Sequence, residues 1–308
     1  MQKVIVICGP TASGKTALSV ELAKKINGEI VSCDSMQIYS EMQIGTARPT
    51  EEEMCNIKHY LVGSIRPTQR YSVSQYKKEA EKAIAEILQK GKVPIVVGGT
   101  GLYVNSLVYG IEYPEIETDL NYRKELEKRV QVEGLENLYK ESCKIDPEAM
   151  KKISENDEKR ILRVLEIYKQ TGKTKTELEI ESRKNGIKYE YKIFGLNMPR
   201  EDLYERINKR VDLMLDMGLI KEVKDLYQKY GEKLYTSVQA IGYKEVIDYF
   251  KGIYTKEEMA QKIKQETRRY AKRQITWFKK IENIKWLDAQ SSLQNNINII
   301  LEEYNIEK

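Results

Sequence analysis

The chain has 308 residues, 41% apolar and 32% charged, with 52 Lys and Arg against 47 Asp and Glu for a net charge of +5. That length fits one large domain, or a domain carrying an insertion, with enough apolar residues for a sizeable core, and the charge is too small to mark a nucleic-acid binder by itself. Four cysteines without a C-x-x-C and a single histidine, His59, argue against zinc and for reduced thiols in a cytoplasmic protein, and no stretch reaches the ~18 apolar residues of a membrane span.

In chain order, residues 4–7 read as a buried strand and residues 17–23 open a helix with Leu18, Leu22 and Ile26 at helical spacing. Between them Gly9, Pro10, Thr11, Ala12, Ser13, Gly14, Lys15 and Thr16 fit G-x-x-x-x-G-K-[ST]. Gly9 and Gly14 let the backbone turn so that successive N–H groups point at one anion, and the helix start adds its positive end. Lys15 supplies a mobile charge, and the Thr16 hydroxyl suits Mg²⁺. A nucleoside triphosphate is the usual tenant of such a loop, but any diphosphate has the right shape and charge.

Residues 30–33 read as a second strand ending at Asp34. Ligands of parallel α/β sheets sit beyond the carboxyl ends of strands, which makes Asp34 and the loop expected neighbours. On local evidence Asp34 reads equally as a turn or helix-cap residue. Residues 38–49 read as loop, 72–90 as an amphipathic helix, and 94–97 as a third strand running into Gly98-Gly99-Thr100-Gly101. A nucleotide-hydrolysing protein of this type has a metal-holding Asp at such a strand end. Here the turn permits close backbone approach and offers one hydroxyl, Thr100; an ordinary strand-to-helix turn is the alternative.

From about residue 116 strand signals vanish until Tyr189, and helical patterns rich in Lys and Glu cover 119–132, 135–143, 147–153 and 156–171. The last has Asn156 as its expected N-cap, an apolar face of Ile161, Val164, Leu165 and Tyr168, and Arg160 and Arg163 on the other side. Residues 191–198 return as a strand, followed by helices at 201–217, 219–230 and 242–250. Thr255-Lys256-Glu257-Glu258 is a capping box opening a long helix. Its apolar stripe includes Ile263, Thr267, Tyr270, Ala271, Gln274, Trp277 and Phe278, while Lys264, Arg268, Arg269, Lys272 and Arg273 occupy the rest. Residues 256–285 hold ten basic and four acidic side chains, +6, which fits a helix seated on the core with phosphates outside, or a solvated basic face. A short strand at 284–287 and a terminal helix close the chain. The expected fold is α/β, a P-loop NTPase-like parallel sheet core (1–115 and 188–308) with an inserted all-helical subdomain (116–187).

The octet at 9–16, Asp-Ser-Met-Gln-Ile-Tyr (34–39), Ile-Gly-Thr-Ala-Arg-Pro (44–49), Gly-Gly-Thr-Gly-Leu-Tyr (98–103), Asn-Asp-x-x-Arg-Ile-x-Arg-Val-Leu-Glu (156–166), Ala-Ile-Gly-Tyr-Lys-Glu (240–245) and Ala-Lys-Arg-Gln-Ile-Thr-Trp-Phe (271–278) come in the order found in tRNA dimethylallyltransferases. Over residues 4–288 the sequence resembles the bacterial type of that family, also called tRNA isopentenyltransferases. The resemblance implies transfer of a dimethylallyl group from dimethylallyl diphosphate to N6 of the adenosine immediately 3′ of the anticodon, with diphosphate as leaving group and Mg²⁺ as cofactor. It implies Asp34 as general base, Thr100 near the reacting centre, and Lys15 with the loop, Thr16-bound metal and Arg210 on the diphosphate. Ser35, Met36 and Gln37 would read the flipped-out base. Arg123, Lys159, Arg160, Ile161, Leu162 and Arg163, with Arg268, Arg269, Lys272 and Arg273, would meet the tRNA anticodon stem-loop. A cytoplasmic monomer is expected. One departure stands out: the family's His-His-Leu-Ile-Asp run is here Lys58-His59-Tyr60-Leu61-Val62-Gly63, and no site is assigned to it. Rival readings are a small-molecule kinase, which leaves the helical block and basic helix unexplained, a prenyltransferase of free adenylates, and a non-catalytic RNA-binding protein with a relic loop.

Overall fold

The structure is a computed structural model describing residues 1–113, 119–183 and 186–304; the expected boundary at 115–116 lies outside the described residues. The strands are β1 Lys3–Cys8, β2 Gly28–Ser32, β3 His59–Tyr60, β4 Val93–Gly98, β5 Glu190–Asn197 and β6 Lys285–Asp288. They form one sheet in the order β3-β2-β4-β1-β5-β6, and every neighbouring pair is parallel. A central parallel strand is covered on both faces, so it must be apolar throughout rather than alternating. β1 meets that demand: Val4 to Cys8 are all buried.

The helices are α1 Lys15–Ile26, α2 Glu51–Met54, α3 Val73–Gln89, α4 Gly101–Val108, α5 Leu120–Glu133, α6 Leu135–Ile145, α7 Pro147–Met150, α8 Glu158–Thr171 and α9 Lys175–Ser182, then α10 Arg200–Asp216, α11 Leu219–Tyr230, α12 Tyr243–Phe250, α13 Lys256–Phe278 and α14 Leu293–Tyr304. Contacts divide the chain into two compact units, Met1–Val108 with Lys188–Lys308, and Tyr109–Ile187. In the first, α1 and α14 pack on the sheet through Leu18, Leu22, Ile297 and Ile300 against Ile5, Ile7, Ile95 and Phe194. A second cluster joins Ile38, Tyr39 and Met42 of the long loop after β2 to Val211, Val223, Tyr243 and Ile263 of α10 to α13. In the second unit, Leu126, Leu138, Ile161, Leu162 and Leu165 form the core of a helical bundle.

Sheet order positions the site. β4 lies between β1 and β2, so the loop after β1, the turn after β4 and Asp34 after β2 emerge at the same edge. Past the strands the ends stay joined: Cys33 N–H donates to Val97 O (2.7 Å) and Thr100 N–H to Cys33 O (3.1 Å). The approach is so close that a Cβ on Gly98 would lie 2.0 Å from Cys33 O.

Several local readings needed adjustment. β3 has two residues, too few to show alternation. α2 and α9, both with Thr capping boxes, were not anticipated. The N-cap of α8 is Asp157, whose Oδ1 accepts the Arg160 N–H (3.2 Å), rather than Asn156, whose N–H donates to Ser154 Oγ (3.3 Å). The departure at 58–63 is scaffold for the loop after β2. Tyr60 OH lies between two carboxylate acceptors, Glu29 Oε2 (3.0 Å) and Glu86 Oε1 (2.8 Å), and Gly63 N–H donates to Gln37 O (2.9 Å). Arg48 donates to Ser40 O (2.7 Å) and Tyr39 O (3.2 Å), and its guanidinium fills the space a Cβ on Gly63 would need.

Candidate active site

The loop from Gly9 to Gly14 is shaped by its neighbours. A Cβ on Gly9 would lie 2.7 Å from Leu196 O of β5, and Gly14 stands at φ 92 as the N-cap of α1 with no side-chain cap. The first-turn N–H groups of α1 are therefore open to an anion. Lys15 Nζ donates to Pro10 O (2.6 Å) and Ser13 Oγ (3.5 Å). Burial, then the Arg210 charge, pull its pKa from 10.5 down to about 8, against the opposing pull of Asp34. Arg210 reaches the loop from α10, donating to Thr11 Oγ1 (3.4 Å) and Ala47 O (3.5 Å). Burial lowers its pKa too, with Asp34 again opposing. Two desolvated cations beside one open helix end place positive charge where a bound anion would relieve the cost of burial.

Asp34 combines both roles left open in its sequence context. Its Oδ1 accepts the N–H groups of Met36 (2.9 Å) and Gln37 (3.2 Å), a turn cap, while Oδ2 makes no hydrogen bond among the described residues. Thr100 Oγ1 accepts the Ser35 N–H (3.0 Å) and donates to Ser35 Oγ (3.3 Å), joining the turn after β4 to the Asp34 turn. Gln37 Nε2 is committed to the carbonyls of Ala47 (3.1 Å) and Thr46 (3.3 Å).

Lys15, Asp34 and Arg210 share a cleft of about 660 Å³ lined by residues 11–17, 34–37 and 45–47, by Arg206, Ile207, Arg210, Val211 and Met214 of α10, and by Ile263, Thr267, Tyr270, Arg273 and Gln274 of α13; Thr100, expected at the reacting centre, stands behind the Asp34 turn and is not part of the lining. Its phosphate-loop end is polar and cationic; Val211, Met214, Ile241 and Ile263 make another part apolar. The half-buried Tyr270 hydroxyl is pushed up out of its usual range by burial and by the Asp34 charge. Among the described residues no group of three or more His, Cys, Asp or Glu is arranged to hold a metal. Thr16 Oγ1 makes no hydrogen bond there and lines the cleft.

Two residues that sequence reasoning missed hold the site. The Glu222 carboxylate accepts three successive N–H groups, from Gln43 (2.9 Å), Ile44 (2.8 Å) and Gly45 (3.0 Å), and the hydroxyl of Tyr243. A Cβ on Gly45 would lie 2.4 Å from the Tyr243 ring, so the segments at 44–49 and 240–245 that carried the family resemblance meet here. That shared membership was the only signal. The second is Gln274, placed on the apolar stripe by its spacing. It is 5% exposed and hydrogen-bonded to both the phosphate loop and the Gly99 turn. The glycines at 99 and 101 accommodate Gln274 and Trp277 of α13.

The basic face of α13 divides. Lys264 pairs with Asp212 (2.6 Å), and Arg268 donates to Asn208 Oδ1 (2.6 Å), so both knit α13 to α10. Arg269 (paired with Glu266, 2.7 Å), Lys272 and Arg273 are exposed, and of these Arg273 lines the cleft. In the helical unit, Arg123 (3.0 Å) and Arg163 (3.4 Å) both bind the buried carboxylate of Glu166. Arg160 pairs with Asp157 (3.2 Å) at the surface, and Lys159 is exposed. Ile161 and Leu162, expected among the RNA contacts, are 0% exposed, and their side chains form core.

A phosphate loop on β1, an acid after β2 and a cationic cleft on a parallel sheet define a P-loop α/β protein with an anion site. The IPP transferase family model matches residues 37–281. The tRNA dimethylallyltransferase of Acetivibrio thermocellus is 47% identical over 311 residues, 99% of each chain, and that of Halothermothrix orenii is 47% identical over 94% of this chain and 88% of its own. Among solved structures, the tRNA isopentenylpyrophosphate transferase of Bacillus halodurans superposes with a TM-score of 0.74 at 42% identity, covering 99% of this chain and 97% of its own. A eukaryotic dimethylallyltransferase acting on tRNA gives 0.82 at 32% identity, covering 99% and 80%. The chain belongs to the tRNA dimethylallyltransferase family.

Proposed function

We propose that this protein transfers a dimethylallyl group from dimethylallyl diphosphate to N6 of the tRNA adenosine at position 37, immediately 3′ of the anticodon, and releases diphosphate. The observation that carries this reading is that Asp34, with one carboxylate oxygen without a hydrogen bond among the described residues, lines the same cleft as Lys15, Arg210 and the α1 N-terminus. The diphosphate sits on the loop N–H groups and the two cations, which stabilise negative charge as the allylic C1–O bond breaks. The C1–N6 bond forms, and the N6 proton passes to Asp34 Oδ2. An exocyclic adenine amine is a weak nucleophile, so removal of that proton matters to the rate. Thr100 holds the Asp34–Ser35 turn through its hydroxyl, and so would fix where the base stands. Thr16, whose hydroxyl lines the cleft, would hold Mg²⁺, which when bound would neutralise leaving-group charge. Val211, Met214, Ile241 and Ile263 offer apolar surface to the five-carbon group.

The adenine must leave its stack to reach the cleft. Ser35 and Met36 would border its edge, while Arg269, Lys272 and Arg273, with Arg123, Lys159, Arg160 and Arg163 of the helical unit, would meet RNA phosphates. The test is incubation with anticodon stem-loop RNA and labelled dimethylallyl diphosphate, followed by analysis for prenylated adenosine. ATP hydrolysis at enzymatic rates without prenyl transfer would overturn the proposal.

A further inference from the structure

Gln274 touches both halves of the cleft with one planar amide. Its Oε1 accepts the N–H of Thr11 in the phosphate loop (2.9 Å), and its Nε2 donates to the carbonyl of Gly99 (2.9 Å), the residue before Thr100. Space for it exists because residue 99 is glycine: a Cβ there would lie 2.2 Å from Nε2. One turn further along α13, Trp277 lies on Gly101, where a Cβ would be 2.3 Å from its Cδ1. The helix thus grips the turn on both sides of Thr100. The strand ladder that sets β1 beside β4 ends at the pair Cys8 and Gly98. Beyond it, among the described residues, the two loops have no backbone hydrogen bond to each other. The Gln274 amide supplies the link.

We infer that Gln274 is a positioning residue that sets the gap between the donor subsite on the phosphate loop and the acceptor subsite at Asp34 and Thr100. The inference rests on the proposed prenyl transfer, in which the two reactants are held by separate loops. Each loop can bind its own reactant without the other. Attack, however, requires the acceptor nitrogen and the allylic carbon at near-contact distance, and a misplacement of about 1 Å costs about 10²-fold in rate. A fully buried amide bonded at both ends has no freedom to let that gap drift. Glutamate could still accept from Thr11 but would turn a carboxylate oxygen toward the Gly99 carbonyl. Leucine would break both bonds while filling similar volume. The Thr11 N–H, being occupied by Gln274, is also not among the amides the loop offers to phosphate.

The test compares wild type, Gln274→Leu and Gln274→Glu in four measurements. These are the affinity for inorganic pyrophosphate, the affinity for anticodon stem-loop RNA, the single-turnover rate with both substrates saturating, and the fraction of donor released as allylic alcohol. The last reports water attacking C1 in place of N6: C1–O of the diphosphate breaks, C1–O of water forms, and a proton goes to solvent. The expected result is a transfer rate lower by about 10²-fold, both affinities within about threefold of wild type, and a larger alcohol fraction. Transfer within about threefold of wild type in both variants would overturn the inference. So would a rate loss matched by an equal loss of pyrophosphate affinity and a lower melting temperature, because that is what a merely structural bond would give. Absence of transfer by wild type in the same assay would instead overturn the reaction on which the inference rests.

Discussion

The cleft and the helical unit treat charge in opposite ways. In the helical unit, charges are paired within the chain: Glu166 is shared by Arg123 and Arg163, and Arg129 binds both Glu133 (2.9 Å) and Glu141 (2.7 Å). In the cleft, burial lowers the proton affinity of both Lys15 and Arg210, the Arg210 charge lowers that of Lys15 further, and Lys15 donates only to neutral oxygens. Paired charges lend shape; unpaired ones hold free energy in reserve for a ligand. The difference teaches caution about arginines recognised by motif alone, since Arg123 and Arg163 act as struts whatever else they touch.

The largest effect should come from the acid. Asp34→Asn keeps the turn cap but removes the base, and single-turnover prenylation should fall about 10²–10⁴-fold with little change in RNA affinity. Turnover within about threefold of wild type would leave the proton to solvent and remove Asp34 from the chemistry. Next, Lys15→Met should lower transfer by about 10²-fold, as for one lost charge-stabilising donor, yet raise the melting temperature of the free protein at pH 7. The sign follows from linkage. With a folded pKa of about 8 against 10.5 unfolded, the unfolded chain binds more protons between those values. The burial cost of the ammonium is complete below pH 8 and fades as pH rises toward 10.5, so the variant's advantage should shrink across that window. A variant less stable than wild type at pH 7 would mean that the cleft holds no such reserve.

In the helical unit the same logic gives the opposite sign. Glu166→Ala removes the buried partner of Arg163, leaves Arg123 only its pair with Glu127, and should destabilise by about 1–3 kcal/mol in denaturant unfolding. Arg160→Ala, at an exposed pair, should change stability by less than about 1 kcal/mol. Equal effects would erase the contrast between strut and surface. Binding of a diphosphate ester should weaken about tenfold per pH unit above pH 8, because the last ester proton (pKa about 6) is already gone and only Lys15 is losing charge. Calorimetry in buffers of different ionisation enthalpy should show proton uptake on binding at pH 9, and a flat profile would place Lys15 off the anion. The smallest effect is in salt dependence. Neutralising Arg269, Lys272 or Arg273 should each flatten the log–log slope of RNA binding by about one unit, whereas Arg268→Gln should act through its contact with α10.

Much of this was legible locally. The apolar run of β1, the Thr255 capping box and the phosphate loop each state their structure within a few residues. What stayed hidden depends on partners far along the chain. Glu222 meets residues 43–45, Gln274 meets Thr11, and Lys264 meets Asp212; no periodicity encodes those pairs. Charge counting correctly found a basic helix but could not tell which of its cations were already spent on α10. Likewise Arg123 was legible as basic and not as a partner of Glu166, which lies 43 residues along the chain on another helix.

The glycines at 98, 99 and 101 invite a different way of reading signatures. Their shape is dictated by the Cys33 backbone, Gln274 and Trp277, each of which would collide with a β-carbon. By contrast, Gly91, Gly134 and Gly172 face open space and are constrained only by their backbone angles. A saturation scan should therefore show two kinds of glycine. At 98, 99 and 101 even alanine should be rejected for want of space, while at Gly172, which is left-handed (φ 66, ψ 4), asparagine should survive. The Gly-Gly-Thr-Gly string is a cast taken from protein surfaces, much of it from a helix some 170 residues downstream, and an alphabet of ligand motifs would misfile it.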